Sequence, residues 1–194
     1  LWDTTPLFHG IFVMSSALWG TVIGALAGNW PCDRLGRKKT LVLIGVLYLL
    51  SAIGSALAQD PYTFAILRFI GGLGVGVSSI AVPAYISEIA PAKVRGRLVA
   101  TYQFQIVFGI LVAFLSNYLL AGIIVEDWRV MLGVEALPAL IYFLMVLKAP
   151  ESPRWLLLHR NDEAEARRVF RELQSEDVEQ TIRAVKHDNT AGEK

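Results

Sequence analysis

Two ionisable residues stand inside long apolar runs, and they are the first candidates for chemistry. Arg68 opens Arg68-Phe-Ile-Gly-Gly-Leu-Gly-Val-Gly76, and Glu135 lies within Leu132-Gly-Val-Glu-Ala-Leu137. A charge inside a membrane span costs several kcal/mol, so each such residue needs a partner or a task. Arg68 falls about five residues into its run and Glu135 about six into another from the same side, which at 1.5 Å per residue puts both roughly 8 to 9 Å deep. Opposite charges at one depth on two helices can pair, each lowering the other's desolvation cost. From spacing alone the pair serves either as a structural tie or in coupling to protons. His9, near the end of the first run, reads as an interfacial histidine rather than a proton carrier.

Further charges crowd the joints between runs: Asp33 and Arg37 after the first, Glu88 beside Arg95 and Arg97 around the third, Glu151 and Arg154 after the last. A solvated surface pair among them is worth about 0 to 1 kcal/mol. A network of several is worth more, and one that is made and broken acts as a gate. Within the fourth run Gln103, Ile106, Ile110 and Phe114 share one face at helical spacing, and Gln105, Ser116 and Asn117 add further polar groups. A carboxamide among apolar and aromatic residues suits a hydroxyl-rich ligand. It serves equally to tie one helix to its neighbour, and spacing leaves both readings open.

Glycines mark contacts rather than a phosphate loop. The Gly-x-Gly pattern after Arg68 lacks the preceding strand and the Gly-Lys-Ser/Thr ending that a phosphate loop needs. Gly72 and Gly76, and Ser16, Gly20, Gly24 and Gly28 at intervals of four, read as faces of close helix approach.

The elements that must hold these residues are membrane helices. The chain of 194 residues is 54% hydrophobic, with a mean hydropathy of +0.48, and nearly all of the excess lies before Pro150. Apolar runs occupy about 7–30, 40–58, 63–87, 98–122 and 129–148, each near the roughly 20 residues that cross a bilayer core. Five buried core helices with such short polar joints would leave too little polar surface for a soluble chain. The expected fold is all-α and integral to the membrane: a bundle of about five spans over residues 1–150, then short amphipathic intracellular helices over 151–194. In that tail Asp162 and Glu165 resemble a capping box, Glu163 and Arg167 an i,i+4 pair, and Val169, Phe170 and Leu173 an apolar stripe. The stripe needs the inner face of the bundle or the headgroup layer to lie on. A weaker helix is expected over about 177–185, and disorder from Lys186 onward.

Position of charge sets topology. Arg34, Arg37, Lys38 and Lys39 in one joint, and Lys93, Arg95 and Arg97 in another, mark both joints as cytoplasmic. The joints Gln59-Asp60-Pro61 and Glu126-Asp127-Trp128-Arg129 read as outside, so residue 1 is expected outside and the tail in the cytoplasm of a multi-pass cell-membrane protein. The net charge of +1 by itself says nothing about nucleic acid, since the placement of the basic residues is what matters, and no nucleic-acid partner is expected. The lone Cys32 permits no internal disulfide. Leu1 to Pro6 carry no initiator Met, basic segment or cleavage site, so the start reads as a cut rather than a signal peptide. No metal-ligand cluster, nucleophile elbow or phosphate loop appears, so neither an enzyme nor a cofactor is expected.

Three motifs carry a family resemblance. Asp33-Arg-Leu-Gly-Arg-Lys-Lys39 resembles the cytoplasmic loop motif of the major facilitator superfamily. Arg68-x-x-Gly-Gly, Pro83-Ala-Tyr-Ile-Ser-Glu-Ile-Ala-Pro91 and Arg95-Gly-Arg97 are similar to the signature of its sugar porter branch, and Pro150-Glu-Ser-Pro-Arg-Trp-Leu156 resembles the motif that ends the sixth span there. The loop motif's leading glycine falls at Asn29 here, with Gly28 one place early.

The resemblance implies that the five runs are the second to sixth of twelve spans, that the tail is the intracellular helices between two halves, and that the first span and the second half are missing. It implies that Gln103 hydrogen-bonds sugar hydroxyls and that Ile106 and Ile110 line the same cavity. It implies further that Arg68 partners an acidic residue on the absent first span in proton-coupled members. Asp33, Arg37, Glu88, Arg95, Glu151 and Arg154 then form one side of a cytoplasmic latch in an alternating-access cycle. The expected partners are a hexose or pentose, protons in coupled members, membrane lipid and the missing half. A non-transporting sugar sensor of the same fold and an exporter of another solute are the rival readings.

Overall fold

A computed structural model describes residues 9–91, 93–122, 127–173, 178–179 and 182–185; of His9, Met14 and Asp127 it describes the backbone. Among the described residues five helical stretches are long and apolar enough to cross a membrane, Gly10–Ala27, Arg37–Leu57, Pro61–Ile89, Arg95–Leu120 and Trp128–Lys148. The order and number of runs are those expected, and the boundaries differ in instructive places.

The first run is not one helix. It opens with a π-helical stretch, His9–Met14, in which the hydroxyls of Ser15 and Ser16 donate to the carbonyls of Gly10 and Val13 at 2.8 and 2.9 Å. α1 (Ser16–Ala27) then ends three residues short of the expected limit, and a separate α2 (Asn29–Leu35) follows. Pro31 lies in the first turn of α2, where a missing N–H leaves no intrahelical bond unmade.

α3 (Arg37–Leu57) starts three residues earlier than the apolar run, because Gly36 with φ 92 turns the chain and Thr40 Oγ1 donates to its carbonyl at 2.8 Å. α4 (Pro61–Ile89) is capped by Asp60, whose side chain accepts from the Thr63 N–H at 2.8 Å, with Pro61 in the first turn. α1 and α4 meet backbone to backbone. A Cβ added to Gly20 or Gly24 would stand 2.2 or 2.4 Å from the carbonyl oxygen of Phe69 or Leu73, and one on Gly72 or Gly76 2.1 or 2.2 Å from that of Ala17 or Thr21. The small-residue faces read from spacing are this contact.

α5 (Arg95–Leu120) has no buried residue. The last run is broken into α6 (Asp127–Val134) and α7 (Ala136–Lys148) at Glu135. The cause is Pro138, which has no N–H for the Val134 carbonyl four residues back and whose ring crowds it; just before it, Glu135 N–H closes a tighter turn onto the Leu132 carbonyl at 3.2 Å.

After Pro150, α8 (Pro153–His159) and α9 (Glu163–Glu172) pack on each other around Trp155, Leu156, Leu157, Ala166, Val169 and Phe170, with Ile182 closing the cluster. Asp162 accepts from Glu165 N–H at 3.1 Å, and Arg167 pairs with Glu163 at 2.7 Å. Only half of a capping box forms, since Asp162 N–H goes to Leu156 O at 3.0 Å. The apolar stripe therefore lies on α8. Of the weaker helix, 178–179 and 182–185 are helical; its remainder, Leu1–Phe8, Glu126 and the stretch from Lys186 lie outside the described residues.

Candidate functional site

At one end of the bundle the three motifs meet. Arg37, the first residue of α3, donates from Nη2 and Nε to Glu88 Oε1 of α4 at 3.0 and 3.1 Å. Its Nη1 reaches the Cys32 carbonyl at 3.0 Å and Asp33 Oδ1 at 3.3 Å. The Arg37 and Glu88 side chains are 14% and 10% exposed, so little water screens their attraction. Glu88 Oε2 is buried and has no hydrogen-bond partner among the described residues.

Glu151 completes the cluster through backbone donors: its Oε1 accepts from the N–H groups of Lys38 and Ser152, both at 2.9 Å. Gly36 makes room for this, since a Cβ there would stand 2.6 Å from Glu151 Oε2 and its positive φ is one that side-chain-bearing residues rarely adopt. Trp155 Nε1 donates to the Asp33 carbonyl and Tyr85 Oη to the Pro150 carbonyl, each at 2.8 Å. Burial pushes the Cys32 thiol above its ordinary pKa, against the lowering pull of the Arg37 charge.

Asp33, Arg37, Glu88 and Glu151 are thus brought together. Arg95 and Arg154 are not. Arg95 Nη2 donates to the Ala90 carbonyl at 3.3 Å, and both residues are exposed without an ion pair among the described residues.

On α4 and at the α6–α7 break, Arg68 Nη1 lies 3.3 Å from Glu135 Oε2. The pair borders a cavity of about 270 Å³ whose other polar walls are Thr21, Tyr48 and Ser51, with Gly71 and Gly72 closing one side. Tyr48 Oη donates to Ser78 Oγ at 2.9 Å. Gln103, Ile106 and Ile110 do not line this cavity. They share the exposed face of α5 with Phe114, at 43%, 53% and 73% exposure for the three apolar members.

Sequence reading assigned no role to Tyr85, Trp155 or the Tyr48–Ser51 pair. The first two sit inside motifs already quoted. Tyr48 and Ser51 repeat at i,i+3 within an apolar run, a polar stripe that marks a wet or bonded face.

Five apolar helices, a charged cluster at one end and an ion pair within the bundle define a multi-pass helical membrane protein. The family model described as "Sugar (and other) transporter" matches residues 7–194, and the chain belongs to that family. It is 42% identical over 175 residues to "Probable inositol transporter 2" of Arabidopsis thaliana, which covers 90% of this chain and 30% of that protein. It is 34% identical over 208 residues to the D-xylose-proton symporter of Escherichia coli (strain K12), covering 94% of this chain and 42% of the symporter. The structure of the proton:xylose symporter XylE bound to 6-bromo-6-deoxy-D-glucose superposes with a TM-score of 0.87 at 34% identity, over 93% of this chain and 43% of the other. The chain therefore spans less than half the length of these relatives. They are transporters, not enzymes.

Proposed function

We propose that the full-length protein moves a monosaccharide or a similar polyhydroxylated ring across the cell membrane by alternating access, and that the chain described here is part of one of its halves. The observation that carries this reading is the convergence of the loop motif, the signature and the Pro150–Leu156 motif on the Arg37–Glu88–Glu151 cluster. A tie between helix ends that opens and closes is what a rocking bundle needs at its inner gate. Basic residues just before and in the first turn of α3 and α5 support placing that gate, and the tail, on the cytoplasmic side.

Gln103 is the residue proposed to hydrogen-bond ligand hydroxyls, with Ile106 and Ile110 beside it. Their exposure on α5 leaves them free to face a ligand or another span. Proton coupling is proposed to act at Arg68 and Glu135, where a protonated carboxyl releases the guanidinium. The symporter relatives support this in kind. The test is counterflow of labelled xylose, glucose and inositol into proteoliposomes holding the full-length protein. Exchange of at least one of them is expected, and exchange of none would contradict the reading.

A further inference from the structure

Beside the inner cluster runs a second groove, of about 420 Å³, lined by Lys38, Lys39, Val42, Trp155, Leu156 and Arg160 together with Glu151, Asp162 and Glu165. Its formal charges balance, yet they are not equally committed. Glu151 already accepts from two backbone N–H groups, Asp162 caps α9, and Glu165 lies 3.6 Å from Arg168. No ion pair involves Lys38, Lys39 or Arg160 among the described residues. Three cations without an ion pair therefore line the groove, while each carboxylate already has one oxygen engaged by a backbone N–H or by Arg168, and the cationic side of the groove is suited to an anion.

The setting chooses which anion. Lys38 and Lys39 lie in the first turn of α3, where the span begins, so the groove sits at the level of lipid headgroups. Below it Val42 continues into Val46 and Leu50, at i+4 and i+8 on the same helix face, and the latter two are 44% and 50% exposed. This apolar strip leads from the cationic groove along the span, as an acyl chain would. Buried Trp155 and Leu156 form an apolar floor where headgroup and chain join.

We infer that this groove binds the phosphate headgroup of an anionic phospholipid, held by Lys38, Lys39 and Arg160, with a chain along Val42, Val46 and Leu50. The occupant clamps α3 to the α8–α9 unit next to the gate cluster. Basic pockets of this kind at the membrane boundary recruit anionic headgroups. The inference stands on the groove and the membrane placement of α3, and it holds whatever solute the protein carries.

The test uses the purified, delipidated full-length protein and native mass spectrometry with phosphatidylglycerol, phosphatidylcholine and inorganic phosphate as probes. Phosphatidylglycerol is expected to be retained in preference to phosphatidylcholine, and to be weakened roughly tenfold or more in the triple variant Lys38→Gln, Lys39→Gln, Arg160→Gln. The charge-keeping triple Lys38→Arg, Lys39→Arg, Arg160→Lys should retain it. Lys148→Gln, at the end of the last span, removes a cation from outside the groove and should leave binding unchanged. Wild-type affinity in the neutral triple, an equal loss in Lys148→Gln, or displacement of the lipid by equimolar inorganic phosphate would each overturn the site; the last would make it a soluble-anion site.

Discussion

Arg37 and Glu88 are 51 residues apart in sequence, yet the guanidinium holds the carboxylate at 3.0 Å and does so nearly out of water. The contact joins the first residue of α3 to the last turn of α4, and it leaves the second carboxylate oxygen of Glu88 without a hydrogen bond among the described residues. A buried pair of this kind costs much to break by halves and little to replace whole.

Arg37→Ala is therefore expected to destabilise the protein by about 3 to 5 kcal/mol, because it strands the Glu88 charge. The double variant Arg37→Met, Glu88→Leu should recover most of that loss. Thermal melting of the full-length protein reads both, and a double variant no more stable than Arg37→Ala would show that the pair is not the unit.

Gly72→Val is expected to block the approach of α1 to α4, since even a Cβ at that position meets the Ala17 carbonyl at 2.1 Å. Overpacking usually costs about 1 to 3 kcal/mol, and backbone cannot yield as a side chain does. Gly109→Val, where an added Cβ meets nothing within 4 Å, is the control. Monodisperse yield after detergent extraction should fall for the first and hold for the second.

Pro138→Ala is expected to join α6 and α7 by returning a donor to the Val134 carbonyl, since a proline inside a helix costs about 3 kcal/mol. Melting should rise. Glu135 would turn away from Arg68, so if the pair couples protons the dependence of uptake on a proton gradient should weaken. An unchanged proton dependence with raised stability would detach coupling from this geometry.

Cys32 should label slowly with a maleimide near neutral pH. Its thiol is buried and its pKa raised, so the reactive thiolate is scarce until the pH climbs above the ordinary thiol range. Removing the Arg37 charge takes away a lowering influence and should move that onset to still higher pH in the folded protein. Fast labelling of folded wild type at neutral pH would contradict the burial.

Much of this was legible in the residues. The five runs, the small-residue faces of α1 and α4 and the tail helix follow from hydrophobic period and from glycine spacing, which act locally. The depth estimate set Arg68 and Glu135 at one level, where the structure has them 3.3 Å apart. What was not legible depends on partners distant in sequence. Glu88 stands near Arg95 and Arg97 in the chain but points to Arg37, because the first turn of α3 lies against the end of α4 while Arg95 begins a helix with no buried residue. The break at Glu135 was visible in Pro138, three residues on, and was hidden by the evenness of the apolar run. The role of Gly36 was invisible until Glu151 was seen to need its space.

The most direct test of the central claim is uptake of labelled sugar by transporter-deficient cells expressing the full-length protein, wild type beside Gln103→Ala, across hexoses, pentoses and inositol. The account predicts uptake of at least one of these by the wild type and its loss in Gln103→Ala at equal surface expression, with a protonophore abolishing uptake if Arg68 and Glu135 couple protons. Uptake by the variant equal to wild type would remove Gln103 from the site, and no uptake by the wild type, with sugar binding retained, would contradict transport itself.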